Sequence, residues 1–174
     1  GGTTVLETTP TASHASLGHA ERAVLAIGGE LRALKASVEG RLGVTIPVTS
    51  MLFHWLVLHV SWLHNRCQPT RGQTAYARVQ QKSYSHSILF FAQPVMVRCQ
   101  DLKGLPKLAL RWAPGRWLGR VPDSDEDIVL TELGIQNGRA VVPIQETDLP
   151  ETLKPQTLIR LQPDSTTTSR VPVE

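Results

Sequence analysis

The sequence predicts an α+β fold in which a mainly helical first half is followed by a small basic β-barrel. Three observations carry this: a regular 3-4 apolar spacing from Leu17, a nearly continuous apolar stretch from Met51, and a change to short strand-like runs after Gly72. The chain has 174 residues, of which 41% are hydrophobic, so it can bury a sizeable core and fits at most two small domains. The division expected is a helical unit over 1–81, a basic barrel over 82–145 and a flexible tail over 146–174.

The first helix follows from Leu17, Ala20, Val24, Ile27, Leu31, Leu34 and Val38, which fall on one face. Gly28 and Gly29 weaken it by about 1 kcal/mol each relative to alanine, and Gly40 or Gly43 is expected to end it. A second helix runs from Ser50, a suitable N-cap, to about Cys67. Its apolar residues surround the axis almost completely, which predicts burial on most sides. Strands are expected at Val95 to Cys99, Leu108 to Leu110, Arg116 to Val121, Ile128 to Leu130 and Arg139 to Ile144, separated by Gly, Pro and Asp clusters. From Gln145 onward prolines recur beside a Ser and Thr run and no periodic apolar face remains, hence the expected tail.

Several function classes are excluded. The run Met51 to Leu63 is shorter than the roughly 18 residues of a membrane-spanning helix and contains His54 and His59, so no membrane partner is expected. Residues 1–10 lack the features of a secretory signal, and Cys67 and Cys99 are too few for a disulfide framework or a four-ligand zinc site. An intracellular location, cytoplasm or nucleus, is expected. His54, His59 and His64 are spaced by five, which turns each about 140° from the last, so they cannot close on one ion. The familiar hydrolase, nucleotide and dinucleotide signatures are absent. Asp123, Asp125, Glu126 and Asp127 lack the rest of a calcium loop and are expected to form a solvated turn.

Charge is distributed unevenly. Residues 1–81 carry a net +3, residues 82–120 a net +6 and residues 121–174 a net −6. The middle segment interleaves Lys82, Arg98, Lys103, Lys107, Arg111, Arg116 and Arg120 with Trp112 and Trp117, a mixture suited to phosphate contact and base stacking. The competing expectation is that these bases pair with the acidic cluster on the next turn, which would neutralise the patch.

The segment Leu17-Gly18-His19-Ala20-Glu21-Arg22 resembles the Asn-Gly-x-Ala-Glu-Arg segment of retroelement integrases. The order continues downstream. Trp62-Leu63-His64-Asn65-Arg66 is similar to the family's Leu-x-Asn-Arg helix end, Gly72-Gln73-Thr74-Ala75-Tyr76 to its Gly-x-Thr-Pro-Tyr, and Phe91-Ala92 before Val95 and Val97 to its Phe-Gly strand entry. Lys107-Leu108, Arg111-Trp112 and Gly115-Arg116-Trp117-Leu118-Gly119 resemble the Lys-Leu…Gly-x-x-Leu-Gly segment of copia-like long-terminal-repeat retrotransposons.

The resemblance covers about residues 8–142. It implies the C-terminal half of a ribonuclease-H-like integrase core, a linker and an SH3-like barrel from a Pol polyprotein. In that family two aspartates and a glutamate hold two Mg2+ or Mn2+ ions for DNA cutting and strand transfer. Glu21 matches the glutamate, as catalytic and metal-ligating residue. No aspartate precedes it, and Leu17, Ala75 and Ala92 depart from the family pattern.

The expectation is therefore a fragment of a metal-dependent, DNA-integrating polynucleotidyl transferase, inactive alone and without stably bound metal. Its nucleic-acid contacts are expected at Arg22, Lys107, Arg111, Arg116, Trp117 and Arg120. Its expected partners are DNA, with RNA as a second nucleic acid, and an upstream integrase segment or a second copy. The alternatives are a non-enzymatic protein- or RNA-interaction module and a non-functional retroelement remnant.

Overall fold

A computed structural model describes residues 14–98 and 111–160. It is a mixed α+β structure. Helix α1 (His14–Leu42) passes Gly28 and Gly29 without a break and ends at Gly43, whose φ of +65° suits the left-handed stop. Glu39 fixes the turn that follows: its carboxylate accepts from Lys35 Nζ at 2.5 Å and from the Ile46 amide at 2.6 Å. Helix α2 (Met51–Cys67) starts on the expected cap, with the Phe53 amide donating to Ser50 Oγ at 3.2 Å.

Burial of α2 extends around most of its axis, as expected. Leu52, Leu56, His59, Val60 and Trp62 are buried and Met51, Phe53 and Trp55 pack partly buried against the core, whereas His54, Leu58 and Asn65 form one exposed stripe. After α2 come a two-residue ribbon, β1 (Pro69–Thr70) with β2 (Gln73–Thr74), and the short helix α3 (Ala75–Gln80).

Strands β3 (Pro94–Arg98), β4 (Trp112–Arg120), β5 (Asp127–Thr131), β6 (Gly134–Gly138) and β7 (Val141–Pro143) form one antiparallel sheet in the order β6-β5-β4-β3-β7. The expected strands at 95–99, 116–121 and 128–130 correspond to β3, β4 and β5, and the expected run 139–144 contains only the short β7. β6 was not expected, and the strand expected at 108–110 lies outside the described residues. The sheet is strongly curled: a Cβ on Gly138 of β6 would stand 2.6 Å from Val97 Cγ2 of β3, although two strands lie between them in the sheet order. It is not a closed barrel, because the edge strands β6 and β7 do not pair with each other.

Both faces of β4 are buried. Adjacent residues on a strand face opposite ways, so Trp117 joins Val95, Val97 and Val129 inside the curl. Leu118 joins Val38, Ile46, Leu52, Leu56 and Phe91 on the helical side. Gly115 lies so close to β5 that a Cβ would meet Val129 Cγ1 at 2.5 Å and the Leu130 carbonyl at 2.6 Å.

Residues 146–160 correct the expected tail. Two 3-10 turns (Glu146–Asp148 and Glu151–Leu153) and helix α4 (Pro155–Leu158) return the chain to the core, where Leu149, Leu153 and Leu158 are buried. The prolines do not oppose this path, since Pro150 precedes a 3-10 turn and Pro155 occupies the first turn of α4. Residues 161–174 of the expected tail lie outside the described residues.

Candidate nucleic-acid interface

The structure sorts the basic residues of the middle segment into buried and exposed groups. Arg116 is fully buried on the helical face of β4. Its Nε donates to the Leu153 carbonyl at 2.6 Å, Nη1 to the Ala92 carbonyl at 2.9 Å and to Glu146 Oε2 at 3.2 Å, and Nη2 to Glu146 Oε1. Trp117 is buried on the other face, its indole Nε1 donating to Asp127 Oδ1 at 2.8 Å. Neither presents a surface to a nucleic acid, and both expected contacts are corrected on that ground. From Gly115 to Gly119 β4 is covered on both sides, so neither face of that stretch meets solvent.

Arg120 meets the competing expectation. Only 13% of its side chain is exposed; Nη1 donates to Asp125 Oδ2 at 3.2 Å and Nη2 to the Ser87 carbonyl at 3.2 Å, while Nε lies 3.5 Å from Asp127 Oδ1. The acidic residues do form a turn between β4 and β5, with Asp123 exposed as expected, but Asp125 and Asp127 are paired and not solvated. Asp125, held at φ +57°, also accepts from the Tyr84 hydroxyl at 3.0 Å and meets His86 Nδ1 at 2.5 Å. Burial raises the Asp127 carboxyl above its ordinary range, opposed by the Trp117 hydrogen bond and the Arg120 charge.

Two exposed cations of the segment, Arg98 and Arg111, lie at one end of the sheet, apart from the exposed Lys82. Arg98, at the end of β3, pairs in register with Trp112, the first residue of β4, and Arg111 precedes Trp112. Arg98 and Arg111 are exposed, and Trp112 leaves 38% of its surface to solvent. Arg139 approaches the same end, because the Arg98 amide donates to the Ala140 carbonyl at 3.0 Å; its side chain is 82% exposed and meets Glu126 at 2.9 Å. Arg111 therefore stands where an exposed contact was expected, with Arg98, Trp112 and Arg139 beside it. Lys107 lies outside the described residues.

Glu21 and Arg22 are exposed on α1, with Arg22 Nε donating to the Gly18 carbonyl at 2.9 Å. Among the described residues no group of three or more His, Cys, Asp or Glu side chains could hold a metal ion, so Glu21 belongs to no such cluster and the residues do not fit a two-ion site. The histidines of α2 go to three surroundings, as their spacing requires: His54 is exposed, His59 is buried and His64 meets Glu30 at 3.0 Å. No helix among the described residues is long and apolar enough to cross a membrane.

Sequence reasoning missed Tyr84 and His86 as partners of Asp125 and the aromatic surroundings of His59, which stacks on Trp62 and contacts Phe91 and Trp117. The spacing of Trp62 and Arg66, four apart on one helix face, was the available signal for a third assembly, in which the Arg66 guanidinium lies 4.7 Å from the Trp62 ring. Comparisons of the chain with protein-family models, with curated proteins and with solved structures find no match in any of the three.

Proposed function

We propose that this chain is a copia-like integrase fragment that contributes nucleic-acid binding, and that the contact surface is the sheet end formed by Arg98, Arg111, Trp112 and Arg139. The observation that carries the reading is the half-exposed Trp112 set between two exposed arginines. An exposed aromatic ring with exposed arginines as its chain neighbour and its cross-strand partner suits base stacking beside phosphate neutralisation. Lys103 and Lys107 belong to the segment that joins Arg98 to Arg111 and add to its charge.

Two features of the fold support the family reading. The strand order, with β3 between β4 and β7 and β3 to β6 following one another as a meander, supports reading the sheet as SH3-like. The apolar stripe of α1 is continuous in sequence but buried only toward its C-terminal half: Val38 is in the core while Val24 is 70% exposed. We assign that open stretch to a further packing partner, an upstream integrase segment or a second copy, as the helical part of a ribonuclease-H-like core requires.

The test is anisotropy of a labelled DNA duplex with the full chain across a salt series. Each lost phosphate contact lowers the slope of log affinity against log salt by about 0.9, so Arg98→Ala with Arg111→Ala is expected to lower it by nearly 2. Arg120→Ala is expected to leave the slope unchanged. Undetectable binding at low salt, or a slope unmoved by the double substitution, would overturn the proposal in favour of a protein-interaction module. In the same preparations, magnesium- or manganese-dependent joining of labelled DNA ends is expected to be absent, because one carboxylate cannot position two ions. Joining that disappears in Glu21→Gln would refute this.

A further inference from the structure

A second site stands apart from the sheet end. Between the end of α2, the β1–β2 ribbon, α3 and residues 83–88 lies a cavity of about 560 Å3. Its polar lining comes from Arg66, Gln73, Thr74, Ser83, Tyr84 and His86, and no carboxylate lines it. The stretch from Gly40 to Gln100 contains no Asp or Glu, while Arg66, Arg71, Arg78 and Lys82 fall on or beside the elements that build the cavity. Asp125, which holds Tyr84 and His86, is itself paired with Arg120. Among the residues lining the cavity, Arg66 is the one that carries a fixed formal charge.

Arg66 is held without an acidic partner. Its guanidinium lies 4.7 Å from the Trp62 ring, 5.2 Å from Tyr76 and 5.7 Å from Tyr84, and Nη2 donates to the Pro122 carbonyl at 2.6 Å. Its Nε is buried with no hydrogen-bond partner, and among the described residues it makes no ion pair. Three rings and a carbonyl thus fix a charged fork in one orientation before any ligand arrives, which reduces the ordering cost of binding an oxyanion.

We propose that this cavity binds a phosphate monoester carried on a nucleoside-sized body. The phosphate is the group that a planar guanidinium, hydroxyls and an amide recognise together. The volume exceeds what phosphate alone fills and lies within the range of small-molecule sites, and Pro69, Ala77 and Ile88 supply apolar surface for the remainder. The site shares no residue with the sheet end, so its fate is independent of the DNA-binding proposal.

Calorimetric titration of the full chain tests it, with adenosine 5′-monophosphate and adenosine as probes. The monophosphate is expected to bind and adenosine to bind at least tenfold more weakly. Ser83→Glu, which places a carboxylate in the cavity at an exposed position and leaves the Arg66 rings in place, is expected to weaken the monophosphate at least tenfold, while Ser83→Gln retains it. Equal affinity for the two probes, no binding of either, or unchanged affinity in Ser83→Glu would overturn the proposal. A single-stranded oligonucleotide with and without a 5′-phosphate identifies the source: phosphate-dependent binding tighter than that of the mononucleotide supports the site as one for strand ends, and weaker binding supports it as one for free nucleotides. Arg98→Ala with Arg111→Ala is expected to leave the monophosphate affinity unchanged, which separates failure of this site from failure of the sheet end.

Discussion

Arg116→Ala is expected to destabilise the protein by about 3–5 kcal/mol, comparable to breaking a buried ion pair elsewhere. The charged head of Arg116 is fully buried and satisfies two carbonyl oxygens, those of Ala92 and Leu153, as well as Glu146. Alanine leaves both carbonyls without this donor, at about 1–3 kcal/mol for each one left unsatisfied, and leaves a void beside Leu118. Arg116→Met fills most of the void but restores no donor, so it should recover only part of the loss. Glu146→Gln should cost least, because the Glu146 side chain is 48% exposed and water can replace what it loses. Urea denaturation of the three variants checks the order, and an unfolding free energy for Arg116→Ala within about 1 kcal/mol of the parent would refute the role given to this network.

The second large effect concerns acid. His59 is buried among Trp62, Phe91 and Trp117, its Nδ1 has no hydrogen-bond partner, and burial pushes its pKa from 6.5 down to about 4. The unfolded chain therefore binds the proton more readily than the folded one. The stability gained from a neutral His59 is complete above about pH 6.5 and is lost as the pH falls toward 4, at about 1.4 kcal/mol per unit. Between pH 7 and pH 5 the loss is about 2 kcal/mol. His59→Leu should remove this component while other titrating groups keep theirs. The difference between the two stability curves, measured by denaturation at each pH, should grow steadily through that window. Parallel curves would show that His59 carries no such linkage.

Local chemistry was legible in the sequence wherever neighbouring residues settle it. Ser50 caps α2 and Gly43 ends α1 because the cap oxygen and the left-handed turn need nothing from distant parts of the chain. β6 was hidden because Gly134–Gly138 has almost no strand-forming side chains; its pairing with β5 comes from the tight turn before it. The return of residues 146–160 was hidden for a related reason. Leu149, Leu153 and Leu158 follow neither helical nor strand spacing, and their burial depends on a core built by α1, α2 and β4. At the candidate site, Arg111 could be read as a surface cation, but Arg116 could not be read as an interior one. Alternation along β4 tells which residues share a face, not that both faces are covered.

The clamp on Arg116 also sets an order of events during synthesis. The guanidinium and its partners are separated by 24, 30 and 37 residues, and the two acceptors at Glu146 and Leu153 lie downstream. Until Glu146 and Leu153 are in place, the burial of the Arg116 charge on β4 is not compensated. Domains that nucleate early can release a finished core as the chain lengthens. Here a segment made after the sheet is the one that lets water leave.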